Sequence, residues 1–157
     1  MSSDNMLTLI TIDEVEFRVK PSDCVLSKVL WRFCNCKDKL SSPKSITIRS
    51  STFQKILYWL QNHTYMYTYL EGLKFEDLNE FDKKFLQVDD VTLINIFKEA
   101  HLLMIDQLVE ICAIALADRL ETKSVDEIRE LFHELDDFEP GEIEEIRKEA
   151  EKLKIGH

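Results

Sequence analysis

The chain has 157 residues, with 30 acidic against 20 basic side chains and a formal net charge of −10. That acidity argues against nucleic-acid binding, which needs a basic surface to neutralise phosphates. One domain, or one small domain with a helical appendage, fits this length, and a content of 45% apolar and 32% charged residues is globular rather than disordered.

Residues 7–12 and 15–19 read as a β-hairpin around Asp13-Glu14. Val15, Phe17 and Val19 alternate with Glu16, Arg18 and Lys20, the period of two of a strand with one buried face. Pro21-Ser22-Asp23 ends that strand and opens a helix carrying Val25, Leu26, Val29, Leu30 and Phe33. After the loop at Ser41-Ser42-Pro43-Lys44, residues 45–49 form a short β-branched segment with Ile46 and Ile48 on one face. A helix follows over 51–62, where Phe53, Ile56, Leu57 and Leu60 make an apolar stripe with Tyr58 and Trp59 beside it.

Residues 64–79 are irregular, with an aromatic cluster at Tyr65, Met66, Tyr67 and Tyr69. From about Leu78 the pattern is helical. A short element holds Phe81, Phe85 and Leu86. Asp89 or Asp90 caps a helix with Leu93, Ile94, Phe97 and Ala100 inward. The helix at 106–120 turns Leu108, Ile111, Cys112, Ala115 and Leu116 inward. Ser124 and Glu127 form a capping box ahead of Ile128, Leu131 and Phe132. Pro140 opens a last helix with Ile143, Ile146, Ala150 and Leu153 on its inner face. A small sheet with helices around it is an α+β arrangement.

Motifs for chemistry are scarce. Gly72, Gly141 and Gly156 lie too far apart for a Rossmann fingerprint or a P-loop. Cys34-Asn35-Cys36 has no second pair at zinc spacing, and Cys24 and Cys112 read as small buried hydrophobes. His63, His101, His133 and His157 have no partner at a spacing that would orient a base. The acidic run from Glu134 to Glu145 lacks the alternating ligands of a calcium loop and reads as a solvated helix face. No metal, no cofactor and no catalysis are expected, and a hydrolase or redox enzyme using Cys34 or Cys36 is disfavoured. The N-terminus does not read as a signal peptide, no apolar run reaches the length of a membrane span, and reduced thiols are therefore expected.

Charge is uneven. Residues 1–64 hold nine basic and six acidic side chains, a net of +3, while residues 65–157 hold eleven and 24, a net of −13. The acidic part ends in two short charged helices with only three or four apolar side chains each. Helices so short need packing to persist. On physical grounds alone, closure over their own core is favoured over an apolar strip left for a partner.

The stretch Phe81-Asp82-Lys83-Lys84-Phe85-Leu86-Gln87-Val88-Asp89 resembles the Trp-Asp-x-x-Phe-Leu-x-Val-Asp signature of the Skp family, the adaptor subunits of SCF ubiquitin ligases. Thr92-Leu93 falls on the family's Thr-Leu pair. Glu127-Ile128-Arg129 with Phe132, then Asp137-Phe138 and Arg147-Lys148-Glu149, are similar to its later signatures. Ile56-Leu57-Tyr58-Trp59 with His63 resembles its Trp-and-His helix. The resemblance runs from about residue 7 to residue 150.

It implies a BTB/POZ fold at residues 5–122, interrupted by the aromatic loop at 64–79, and a C-terminal helical extension at 123–157. It also implies a non-catalytic adaptor between a cullin and F-box proteins, in cytoplasm and nucleus. Carried over by position, the F-box surface comprises Leu108, Ile111, Cys112, Ala115, Ile128, Leu131, Phe132, Ile143, Ile146 and Arg147. This reverses the own-core expectation for the last helices. Three departures stand out. Ala100-His101-Leu102-Leu103 replaces the family's Ala-Asn-Tyr-Leu, so cullin binding at His101 and Leu102 is retuned or lost. Tyr65-Met66-Tyr67-Thr68-Tyr69 replaces an acidic insert. Ala150-Glu151-Lys152 stands where the family has Asn-Gln-Trp. The alternative is a structural protein without cullin binding that self-associates through its BTB surface.

Overall fold

The computed structural model of the chain describes residues 6–36, 42–63 and 72–133, without the side chains of Phe132 and His133. The aromatic cluster at 65–69 and the helix expected from Pro140 lie outside the described residues. The chain forms two compact units, one of Met1–Met66 with Lys98–Gln107, the other of Tyr67–Phe97 with Leu108–His157.

In the first unit, strand β1 (Leu7–Ile10) is central. It pairs antiparallel with β2 (Glu16–Val19) and parallel with β3 (Lys44–Ser45), in the order β2-β1-β3. A central strand is covered on both faces, so Leu7, Thr8 and Leu9 are all buried. On edge strand β2, Val19 is buried while Glu16 and Arg18 are exposed. The expected hairpin turn is there, with Glu14 in the left-handed region at φ 63°. Thr11 holds it, its Oγ1 accepting the Val15 N–H at 3.1 Å. β3 is shorter than expected from the sequence. Ile46 N–H to Ile10 O at 2.9 Å and Ile12 N–H to Ile48 O at 3.0 Å nonetheless extend the pairing, and both isoleucines are buried.

The single helix expected after Pro21 is two pieces. A 3-10 turn spans Pro21–Cys24, and α1 spans Lys28–Cys34. Ser27 makes the break. Its Oγ accepts the Leu30 N–H at 3.1 Å as the cap of α1 and donates to Leu103 O at 2.7 Å. Val25, placed inward by periodicity, is exposed as a result. α2 (Ser50–Gln61) follows the sequence closely, burying Phe53, Ile56 and Leu60, and also Trp59. Phe53 meets Phe17 edge to face at 4.9 Å. His63 stacks on Trp59 at 3.9 Å.

No side chain of its own cap serves α2. Distant carboxylates do so instead: Asp13 accepts Ser50 N–H at 2.9 Å and also the Ser50 hydroxyl, and Glu99 accepts the Arg49 N–H. The Ser50 and Thr11 hydroxyls hold the Asp13 carboxyl down at about 2.

In the second unit, α3 (Glu80–Phe85) is capped by Asn79, whose Oδ1 accepts the Asp82 N–H at 2.8 Å. α4 (Asp90–Leu102), whose residues from Lys98 on belong to the first unit, buries Leu93, Ile94, Ile96, Phe97 and Ala100. α5 (Asp106–Glu121) and α6 (Val125–His133) follow. Three strands with these helices make the α+β, BTB/POZ-like arrangement that the resemblance implies.

Candidate functional site

Two surfaces carry the residues singled out by sequence. The first is the turn between α4 and α5. His101 and Leu102 are exposed, Leu103 is buried, Met104 is exposed and Ile105 is buried. Met104 reverses the chain in the left-handed region, at φ 54°. Several contacts fix this turn, the Val29 N–H to Leu103 O bond at 3.4 Å among them. Ile105 N–H reaches Ala100 O at 3.0 Å, Ser27 Oγ holds Leu103 O, Lys28 N–H reaches Met104 O at 3.3 Å, and Lys28 Nζ pairs with Asp106 at 2.8 Å. That ion pair is exposed and adds little stability; the buried Ser27 bond matters more. The result is a fixed platform on which Leu102 and Met104 keep 47% and 40% of their surface in water. Met104 was not among the residues singled out by sequence, because helical periodicity says nothing about a turn.

Glu99, one turn earlier on α4, is 8% exposed, and its Oε2 has no hydrogen-bond partner among the described residues. Burial pushes its carboxyl up to about 7, against the opposing pull of the Arg49 N–H and the Lys98 and Arg49 charges.

The second surface begins on α5. Leu108, Ile111 and Cys112 are wholly buried and Ala115 is 1% exposed, so as the chain stands these four are core. Ala113, Ile114 and Leu116 are buried too, so α5 is covered nearly all round. Burial, with the Asp82 charge second, pushes the Cys112 thiol up, which makes it inert as a nucleophile. At the far end of α5, Arg119 donates to Asp90 Oδ1 at 2.9 Å and to Leu86 O at 2.8 Å, and Lys123 pairs with Asp90 Oδ2 at 3.0 Å. Burial pushes Asp90 up, but hydrogen bonds from Lys123 and Arg119 outweigh it and hold the carboxyl below its ordinary value.

Beyond this clasp α6 starts where the sequence places it, with Ser124 Oγ accepting the Glu127 N–H at 3.2 Å. Leu131 is buried at 7%, Ile128 is half-buried and Val125 is 67% exposed. The three share one helix face, so the stripe runs from covered to open along its length. Val125 escaped the sequence reading, although its position three residues before Ile128 was the available signal. The Phe132 side chain and residues Ile143, Ile146 and Arg147 lie outside the described residues.

Among the described residues no three His, Cys, Asp or Glu side chains are grouped to hold a metal ion, and no helix is long and apolar enough to cross a membrane. What the two surfaces offer is exposed apolar side chains on a fixed turn and a half-covered amphipathic helix. Both suit protein contacts.

Comparison with known proteins agrees with this. The model of the Skp1 family, dimerisation domain, matches residues 106–153. The E3 ubiquitin ligase complex SCF subunit sconC of Arthroderma otae is 32% identical over 160 residues, covering 96% of this chain and 95% of its own. The suppressor of kinetochore protein 1 of Schizosaccharomyces pombe is 29% identical over 153 residues, covering 92% and 95%. The SKP1-like protein 11 of Arabidopsis thaliana is 25% identical over 147 residues, covering 94% and 95%. On these grounds the chain belongs to the Skp1 family.

Proposed function

We propose that the chain is a non-catalytic adaptor of an SCF-type ubiquitin ligase, joining F-box substrate receptors to a cullin scaffold. The reading rests on its end-to-end similarity, at 32% identity, to a relative named as an SCF subunit. Residues 5–122 serve as the BTB/POZ-like core and 123–157 as the F-box-binding extension, acting in cytoplasm and nucleus. The open end of the α6 stripe supports the F-box side: Ile128 and Leu131 dock the helix while Val125 stays available to a partner. On the resemblance, that surface also takes in Leu108, Ile111, Cys112 and Ala115 of α5, and Phe132, Ile143, Ile146 and Arg147. The α4–α5 turn serves the cullin, with His101 and Leu102 giving it a less polar character than the family's Asn and Tyr.

Co-purification tests both sides separately. The chain is expected to retain F-box domains under native conditions, and failure to bind any of several while folded contradicts the reading. A cullin N-terminal domain is then offered to the wild type and to a His101→Asn/Leu102→Tyr variant. Binding by the variant alone shows a lost scaffold contact. A chain that binds neither partner and self-associates in light scattering supports the structural alternative.

A further inference from the structure

The turn between α4 and α5 carries a side chain that its backbone does not require. Met104 stands in the left-handed region, at φ 54°. That conformation crowds the Cβ of an L residue against the backbone, and glycine avoids the cost. Gly72, at φ 81°, meets the same need elsewhere in the chain. The other non-glycine residue at positive φ among the described residues is Glu14, polar and exposed in the hairpin turn. Met104 is the only apolar side chain so placed among them, and 40% of its surface faces water.

Main-chain groups build the turn. Met104 N–H donates to His101 O at 3.1 Å, and Met104 O accepts the Lys28 N–H at 3.3 Å. Ile105 N–H closes on Ala100 O at 3.0 Å. Leu103 O is held by the Ser27 hydroxyl at 2.7 Å and by the Val29 N–H at 3.4 Å. Leu103 and Ile105, on either side of Met104, are the buried residues here. None of these contacts uses the Met104 thioether, so glycine or asparagine would form the same turn with less strain. Strain kept where an unstrained residue fits points to a side chain that is used.

We infer that Met104 is an anchor of the scaffold contact, its thioether entering an apolar cleft on a cullin subunit. The inference rests on the reading of this turn as the cullin-facing surface, and it adds the chemistry of the contact. Leu102, two positions earlier and 47% exposed, already belongs to that surface, which continues from it onto Met104. Lys28 and Asp106, which flank the turn, pair at 2.8 Å and offset each other's charge, so apolar side chains give this surface its character. Methionine is flexible and polarizable, which lets it fill an apolar cleft of irregular shape. The fixed backbone beneath it spares the contact an ordering cost. Stability and binding then pull in opposite directions at this one position.

The test is calorimetry of a cullin N-terminal domain with the full chain, wild type and variants, each first bound to an F-box domain. Urea denaturation of the same chains runs beside it. Met104→Gly and Met104→Asn are expected to keep or raise the urea midpoint and to bind the F-box domain as wild type does. Both are expected to bind the cullin about tenfold more weakly. Met104→Leu, which keeps an apolar side chain, is expected to bind nearly as well as wild type. Wild-type cullin affinity in Met104→Gly and Met104→Asn overturns the proposal alone. So does a urea midpoint that falls in both, which makes the side chain structural, or weak binding by Met104→Leu, which removes the apolar cleft. A wild-type chain that binds F-box domains and no cullin overturns the cullin reading of the turn, and this proposal with it.

Discussion

The α4–α5 turn and helix α6 both present apolar side chains to water, but they are held in opposite ways. The turn is fixed from several sides, by Ser27 at Leu103 O, by Lys28 N–H at Met104 O and by Ile105 at Ala100 O, leaving Leu102 and Met104 on a rigid base. α6 has nine residues, a cap from Ser124 and one buried side chain, Leu131, among its described residues. A helix that short is marginal without partners for its apolar face. A fixed surface binds without ordering itself, whereas a marginal one loses conformational entropy on binding and exchanges partners more readily. The difference matches the proposed roles: a standing contact to a scaffold on the turn, and interchangeable receptors on α6.

The largest expected effect concerns pH. Glu99 lies at the end of α4 from which the turn hangs, and its carboxyl is raised to about 7 from an ordinary 4.5. A raised carboxyl stabilises the fold fully below the unfolded value, and that stability is lost as pH rises through the folded value. Between pH 4.5 and 7 the loss is about 3 kcal/mol. Wild type minus Glu99→Gln denaturation profiles are expected to show this slope, and a flat difference contradicts the burial argument. The base of α6 has the opposite sign. Asp90 is held below its ordinary value, so its contribution is present above the unfolded value and lost as pH falls through the folded one. Asp90→Asn is expected to flatten the acid limb alone.

Next in size is Ser27→Ala, which takes from the buried Leu103 O the shorter of its two donors, leaving the Val29 N–H at 3.4 Å, and from α1 its cap. A loss of about 2 kcal/mol in urea denaturation is expected. Hydrogen exchange should then quicken at 103–105 more than in α6, and uniform quickening would show that Ser27 is not what fixes the turn.

How much of this was legible depended on how local the cause was. The hairpin, the apolar stripe of α2 and the α6 cap are set by neighbours in sequence, and they stand where the sequence put them. Ser27 could not be read, because the carbonyl that gives it a reason to be buried is 76 positions away. α5 misled in another way. A stripe of inward positions assumes one covered face, yet Ala113 and Ile114 are buried along with Leu108, Ile111, Cys112 and Ala115. Asp82 lay inside the recognised signature, but nothing in its spacing announced a wholly buried carboxylate.

Smaller changes probe α6. Ser124→Ala removes the acceptor for the Glu127 N–H and is expected to cost about 1 kcal/mol, seen as faster exchange at 125–131. Val125→Asp, at the open end of the stripe, is expected to change stability by no more than about 0.5 kcal/mol, while weakening F-box binding in calorimetry. A Val125→Asp protein that binds as well as wild type would move the contact elsewhere.

The account stands or falls on α6 being the surface that a receptor completes. Hydrogen exchange of the full chain, alone and with a bound F-box domain, tests this directly. The expected result is strong new protection at 125–133, with little change in the core amides of α5, which are already buried. Binding that leaves 125–133 exchanging as in the free chain would contradict it.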